Sequence, residues 1–167
     1  MFFVRTASRS DLEKVRALLA ASFHATYDDL YGPKKVQELI DAWHSTATLE
    51  KHLEAKGAEF LVADDGKRIG GMAYARRKDD RPETVVLHQL YVHPDCHRQG
   101  IGRDIFAELE TCFPGVDLME LEVEPRNTQA VAFYSAHGFV PVEEVEIESG
   151  PAKGLKALIM HKPLETF

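Results

Sequence analysis

The spacing of apolar positions along the chain changes several times, and each change marks an element. The run from Phe2 to Thr6 predicts a first strand, and Ser10 with Glu13 has the spacing of a capping box opening a helix to about Phe23. A second helical stretch starts near Pro33, after the Tyr31-Gly32 break, and runs past Trp43 towards Leu53 with an interruption at Ser45 to Thr48. Asp64-Asp65-Gly66 separates two strand-like runs, EFLVA and RIGGMAYARR, as a hairpin turn does, so these two are expected to pair antiparallel.

A charged loop, Lys78 to Arg81, leads into TVVLHQLYV, a strand from Thr84 to Val92. The glycine-bearing turn HRQGIG, His97 to Gly102, follows, and then a helix with Ile101, Ile105, Leu109 and Cys112 on one face, stopped at Phe113-Pro114-Gly115. Met119, Leu121 and Val123 alternate with Glu120 and Glu122, the pattern of a half-exposed strand. Asn127 is placed to cap a last helix ending at Gly138, and Phe139 to Ile147 and Leu155 to Met160 close the chain as strands. The order predicts an α/β (α+β) fold, a mixed sheet with helices on its faces.

Composition narrows the classes. A chain of 167 residues, 44% hydrophobic and 28% charged, buries one core and is short for two, so residues 1–167 read as a single domain. The formal net charge of −7 offers no basic surface for a phosphate backbone, which argues against nucleic acid and favours a cationic partner such as an amine. Two cysteines, Cys96 and Cys112, without a CxxC pair suit a reducing compartment better than a disulfide scaffold. Arg5 and Arg9 interrupt any signal-peptide core and no run is long enough to span a bilayer, so the expectation is a cytoplasmic protein without a membrane partner. His93, Cys96 and His97 lie close in sequence, but Pro94 turns the chain between them and no HExxH is present, so no metal site is expected.

The turn HRQGIG joins a strand to a helix N-terminus, which gathers backbone N–H groups and the positive end of a helix dipole at one point suited to a phosphate. A dinucleotide fingerprint needs a third glycine where Ile105 stands, and no Walker-type string occurs.

A second cluster lies downstream. NTQAVAFYSAHGF, Asn127 to Phe139, together with HRQGIG after a strand ending YVHP, resembles the signature pair of the GNAT superfamily of acetyl-CoA-dependent N-acetyltransferases. The resemblance implies a three-layer fold with a mixed, mostly antiparallel seven-stranded sheet and helices on both faces. It implies that backbone amides of Arg98, Gln99, Gly100, Ile101, Gly102 and Arg103 receive the pyrophosphate of acetyl-CoA, with the pantetheine arm beside Leu90, Tyr91 and Val92. Where the family usually has Gln or Arg three residues before the first glycine, this chain has His97.

Acetyl transfer to an amine needs three roles filled. Tyr134 is the natural acid for the departing thiolate, because a phenol near pKa 10 is not far from a thiol at roughly 8.5. The oxyanion needs a backbone N–H, that of Leu90 being the candidate. Asn127 caps its helix and is compatible with a contact to the pantetheine or an ordered water. For the base, His88 shares a strand face with Val86, Leu90 and Val92 and titrates in a useful range. The string LHQLYVH also resembles the strand of the arylalkylamine acetyltransferases, where two histidines one residue apart are implicated; the other position here is Val86. Gln89 or Glu83 ordering a water is the alternative.

The segment between the first strand and the hairpin walls the acceptor site in this family, and here it carries Phe23, Tyr27, Asp28, Asp29, Tyr31, Glu38, Asp41 and Trp43. An aromatic and acidic wall suits an ammonium ion, with Tyr27, Asp28 and Asp29 as the substrate contacts. The expected activity is transfer of acetyl from acetyl-CoA to a primary amine, a small molecule, by direct attack, since neither cysteine has a base beside it. The alternatives are a protein lysine or N-terminal acetyltransferase, and a non-catalytic acyl-CoA sensor. An exposed sheet edge allows a homodimer.

Overall fold

The computed structural model describes residues 1–164. In chain order the elements are β1 (Phe3–Thr6), α1 (Leu12–Tyr31), α2 (Pro33–Trp43), α3 (Thr46–Glu54), β2 (Ala58–Asp64), β3 (Ile69–Arg77), β4 (Thr84–Val92), α4 (Ile101–Thr111), β5 (Leu118–Val123), α5 (Thr128–Ala136), β6 (Val140–Glu146) and β7 (Lys156–Pro163). They form a seven-stranded sheet in the order β1-β2-β3-β4-β5-β7-β6. The β1–β2, β2–β3, β5–β7 and β6–β7 pairs are antiparallel, and β4–β5 is parallel. The mixed sheet with helices is the fold class the order of elements predicts, and its mostly antiparallel, seven-stranded form is the one the resemblance implies.

Contacts divide the chain into two compact units: Met1–Arg76 with Gln89–Cys112, and Arg77–His88 with the segment from Phe113 onward. Strand β4 therefore contributes its first half to one and its last four residues to the other.

In the first unit, α1 turns Leu12, Val15, Leu18 and Leu19 inward, the spacing of one helical face. They pack with Leu49 of α3, Phe60 and Val62 of β2, and Met72 and Tyr74 of β3. Leu19 and Val15 are fully buried, so Leu19→Ala should cost about 2–5 kcal/mol. The helix runs past Phe23 because the same face continues through the buried Tyr27, and the first residue to break it is Gly32, whose φ of 83° suits glycine. Its start also differs from the capping box expected at Ser10 and Glu13. A short 3₁₀ turn at Arg9–Asp11 precedes it, and the Asp11 carboxylate accepts from the Ser8 backbone N–H at 2.8 Å. Arg5 donates to both Asp11 oxygens at 2.8 Å and holds that carboxyl down at a pKa of about 2. This fork ties β1 to the head of α1. The interruption after Trp43 is real: Ser45 accepts from Thr48 N–H and opens α3.

In the second unit, β4 and β5 are in register at Thr84–Leu118, Val85–Met119 and Val86–Glu120. Strand β5 keeps the predicted alternation: Met119, Leu121 and Val123 are buried while Glu122 is exposed. Lys78 reaches Glu120 at 2.7 Å, which fastens the loop before β4 to β5. Strand β6 ends the sheet and is exposed along almost its whole length, with Val140 and Val142 open beside Glu143, Glu144 and Glu146. Acidic side chains on such an edge oppose unwanted strand pairing.

Candidate active site

The chain leaves β4 at Val92 and enters α4 at Ile101, and the eight residues between are held by their own backbone and histidines. The Val92 carbonyl accepts from Ser22 Oγ of α1 and from His97 Nε2, each at 3.2 Å. His97 thus braces the start of the loop, at the position where the resemblance leads one to expect Gln or Arg. Cys96 N–H donates to the His93 carbonyl at 2.8 Å, and Asp95 N–H to His93 Nδ1 at 3.1 Å, so His93 caps a short 3₁₀ turn. Cys96 itself is buried.

Beyond this turn the backbone is left-handed twice, at Arg98 with φ 64° and at Gly100 with φ 78°. Left-handed residues alternating with ordinary ones turn successive N–H groups towards a common side, the concavity that receives anions. Gly100 is the N-cap of α4, an eleven-residue helix whose dipole adds positive potential there. The side chains of His97, Arg98, Gln99 and Arg103 are exposed, Gly100 and Gly102 are half-buried, and Ile101 is buried. A Cβ on Gly100 would stand 2.6 Å from Arg103 Nη2. The loop is therefore a backbone device with cations at its rim.

The strand leading to it has two unlike faces. Val85, Leu87 and Gln89 are buried, whereas Val86, His88, Leu90 and Val92 are half-buried or exposed, His88 being the most open of them. Gln89 meets the buried His44 at the end of α2, its Nε2 lying 3.2 Å from His44 Nδ1. Among the described residues His44 Nε2 and Gln89 Oε1 find no partner, and burial depresses the His44 pKa to about 4, so this ring is neutral near pH 7. Gln89 is thus turned away from the open face where a water for the base role would lie.

The α1–α2 wall is built of side chains. Phe23 meets Tyr27 and Tyr91 at 5.2 Å between ring centroids and His44 at 4.7 Å, and Tyr27 stacks on Tyr31 at 5.6 Å. Tyr27 is buried, Asp28 half-buried and Asp29 exposed. His24 Nδ1 lies 2.7 Å from Asp28 Oδ1 and its Nε2 lies 3.0 Å from Gln37 Oε1, while Gln37 Nε2 donates to Asp41 at 2.9 Å. Both nitrogens of His24 face acceptors, an arrangement that the imidazolium alone satisfies, and its pKa is raised by Asp28 first and Gln37 second.

In the other unit, Asn127 Oδ1 accepts from Ala130 N–H at 3.2 Å and caps α5 as its position predicts. Helix α5 buries one residue of its own, Tyr134, whose ring sits edge-on to Phe133 and Phe139 at 5.5 Å. Gly138, at φ 96°, ends the helix.

Residues 27–163 match the acetyltransferase (GNAT) domain. The chain belongs to the GNAT acetyltransferases. An uncharacterized N-acetyltransferase of Mycobacterium tuberculosis is 29% identical over 132 residues, 78% of this chain and 83% of that protein. The peptidyl-lysine N-acetyltransferase YjaB of Salmonella typhimurium is 27% identical over 150 residues, 89% of this chain and 90% of that one. Among solved structures, the PaiA N-acetyltransferase of Thermoplasma acidophilum, in complex with coenzyme A, has the same fold: TM-score 0.83 at 21% identity, over 98% of this chain and 99% of that one.

The GNAT match spans both compact units. Among the described residues no helix is long and apolar enough to cross a membrane, and no three metal-ligating side chains gather. Cys112, beyond α4, has its thiol pushed up to about 11 by burial and by Glu59 and Glu108, which leaves it a poor nucleophile for this GNAT chain.

Sequence reasoning missed two features of the GNAT loop's surroundings. The His44–Gln89 contact has no signal in spacing, since 45 residues separate the partners. The glycine pair Gly70-Gly71 had one. In β3 the register with β2 shifts so that Ala63 faces Gly71 and Asp64 faces Ile69, leaving Gly70 as the extra residue of a bulge. Two glycines inside an otherwise apolar strand are the mark of such a bulge or of a close backbone approach.

Proposed function

We propose that this GNAT acetyltransferase moves the acetyl group of acetyl-CoA to the primary amine of a small molecule by direct attack. The observation that carries the reading is the β4–α4 loop: two left-handed residues, Arg98 and Gly100, at the N-terminus of α4 with Arg98 and Arg103 exposed at the rim. That is the shape and charge a pyrophosphate takes. Amides from Arg98 to Arg103 hold the diphosphate, and the pantetheine follows Leu90, Tyr91 and Val92, with Asn127 as a further contact.

The neutral amine nitrogen attacks the thioester carbon, and the carbonyl oxygen draws on the Leu90 N–H. Collapse breaks the C–S bond, the amine proton leaves to a base, and the thiolate takes the Tyr134 proton. His88, on the open face of β4, is the base in this reading; the buried Gln89 serves it less well. Asp29 and the charged His24–Asp28 pair set the field for a cationic acceptor at the α1–α2 wall, with Tyr27 packing that wall from behind. The cytoplasm, where acetyl-CoA and free thiols coexist, is the compartment this reading implies.

A second reading, acetylation of lysine in proteins, draws support from the name of the Salmonella relative, which matches along most of both chains. Thermal unfolding with acetyl-CoA, and NAD as the control, tests the cofactor: at about 100 times Kd the midpoint should rise by roughly 5 to 10 °C. No rise at millimolar acetyl-CoA would sink the proposal. Thiol release with a panel of small amines and a panel of lysine peptides then separates the two acceptors.

A further inference from the structure

The glycine pair of β3 lies under both ends of the β4–α4 loop. At the loop's start, His93 N–H donates to the Gly70 carbonyl at 2.9 Å. At its end, the first residue of α4 rests on the same two glycines. A Cβ on Gly71 would stand 2.6 Å from Ile101 Cγ2 and 3.0 Å from Ile105 Cδ1, and 3.3 Å from the Tyr91 carbonyl. One on Gly70 would meet the Phe2 ring at 2.6 Å and Ile101 Cδ1 at 3.1 Å. Successive residues of a regular strand point to opposite faces, so both would not meet Ile101; the bulge at Gly70 lets them.

Neither glycine has a positive φ, so what they supply is space and not conformational freedom. The neighbours differ in how far they can yield. Against Gly70 stands the far edge of a phenyl ring, which can swing. Against Gly71 stands the branch methyl of a β-branched residue in a helix, stiff at χ1, with a carbonyl of β4 beside it. A side chain at position 71 must therefore lift the first turn of α4 from the sheet, because packed interiors have no slack for a methyl.

From this geometry we infer that Gly71, together with the bulge at Gly70, is a positioning element of the cofactor site: it sets the height of the α4 N-terminus over β3, and with it the aim of the amides from Arg98 to Gly102. The inference rests on the reading of that loop as the pyrophosphate site. It acts through α4 and touches no substrate.

The test is Gly71→Ala, with acetyl-CoA binding measured by calorimetry, steady-state kinetics, and amide hydrogen exchange over residues 93–102. The Kd and KM for acetyl-CoA should rise about tenfold, with kcat at saturating cofactor within about twofold. Exchange at the loop amides should quicken without ligand. Gly71→Ala/Ile101→Leu, which removes the branch methyl at nearly constant volume, should bring Kd back to within about threefold of the unsubstituted protein. Gly70→Ala should act in the same direction more weakly, about threefold, and serves if Gly71→Ala does not fold. Unchanged Kd and loop exchange in a folded Gly71→Ala protein would overturn the inference, as would a loss of kcat with KM untouched or a failure of Ile101→Leu to restore binding. Should the unsubstituted protein itself not bind acetyl-CoA, the proposed function falls, and loop exchange alone then decides the role of Gly71.

Discussion

The β4–α4 loop, the proposed cofactor site, and the α1–α2 wall are made of different materials. From Val92 to Ile101 the shape comes from backbone: left-handed φ values at Arg98 and Gly100, a carbonyl braced by Ser22 and His97, and exposed side chains around them. Along the wall the shape comes from side chains: stacked rings at Phe23, Tyr27 and Tyr31, and a hydrogen-bond chain through His24, Asp28, Gln37 and Asp41. A backbone site serves any protein that binds the same diphosphate, whereas a side-chain wall changes with each acceptor. The first can be recognised from a short motif. The second needs coordinates.

The change expected to have the largest effect lies outside both. Tyr134→Phe removes the hydroxyl of the proposed acid while keeping the ring that packs against Phe133 and Phe139. Turnover should fall about 100-fold or more with acetyl-CoA affinity unchanged, since general acids contribute about 10²–10⁴-fold. Equal turnover would assign Tyr134 to packing alone.

Next comes His44, where the wall meets β4. Its folded pKa, about 4, lies below the unfolded value of 6.5 because the buried ring resists charge. The unfolded chain therefore binds the proton first as pH drops. The stability is fully present above pH 6.5 and is lost as pH falls towards 4, by about 3 kcal/mol in all. Urea unfolding of the unsubstituted protein and His44→Gln at pH 7 and pH 4.5 isolates this share. The same acid loss in both would clear His44 of it.

Within the loop, the contrast between backbone and side chain gives paired expectations. Gly100→Ala places a Cβ at φ 78° against Arg103 and should cost about 1–2 kcal/mol of acetyl-CoA binding, roughly tenfold. Gln99→Ala, which changes an exposed side chain at the same turn, should stay within about threefold. If Gln99→Ala proves the more damaging, the loop reads its ligand by side chains and the contrast with the wall collapses.

How far the sequence reached follows the same division. Strands β2 to β4 are apolar runs bounded by turn signals, β5 shows period-two alternation and the turn at Gly100 is a glycine-rich string; all of these are local, and local signals survive folding. The end of α1 was misplaced at Phe23 because nothing near it breaks a helix; only Gly32 does. Ser10 and Glu13 have the spacing of a cap, yet the capping box forms at Ser8 and Asp11, ahead of the 3₁₀ turn, where Arg5, from β1, holds the Asp11 carboxylate in place. The wall residues Tyr27, Asp28 and Asp29 could be named but not ranked, since stacking on Tyr31 and pairing with His24 depend on where the side chains lie. Gly71 shows the limit most clearly: it looks like any strand glycine until Ile101, thirty residues on, is placed against it.

The smallest effect expected concerns His24, and its sign discriminates well. Asp28 and Gln37 both accept from this ring, so its folded pKa is raised above 6.5. A raised pKa means that the native state holds the proton longer. The stabilisation is therefore fully present below pH 6.5 and disappears as pH rises through the raised folded value. Both side chains are about a third exposed, at 32% and 35%, so the pair is worth less than about 1 kcal/mol. Its midpoint is easier to read than its energy. An NMR titration of the His24 ring should give a midpoint above 6.5, and Asp28→Asn should draw it back towards that value. If the amine's KM then falls with rising pH in step with the ring's loss of charge, the acceptor feels the Asp28 carboxylate that the imidazolium had been neutralising. If KM ignores both the ring and Asp28→Asn, the wall's acids belong to the α1–α2 connection, and Asp29 alone is left to greet a cation.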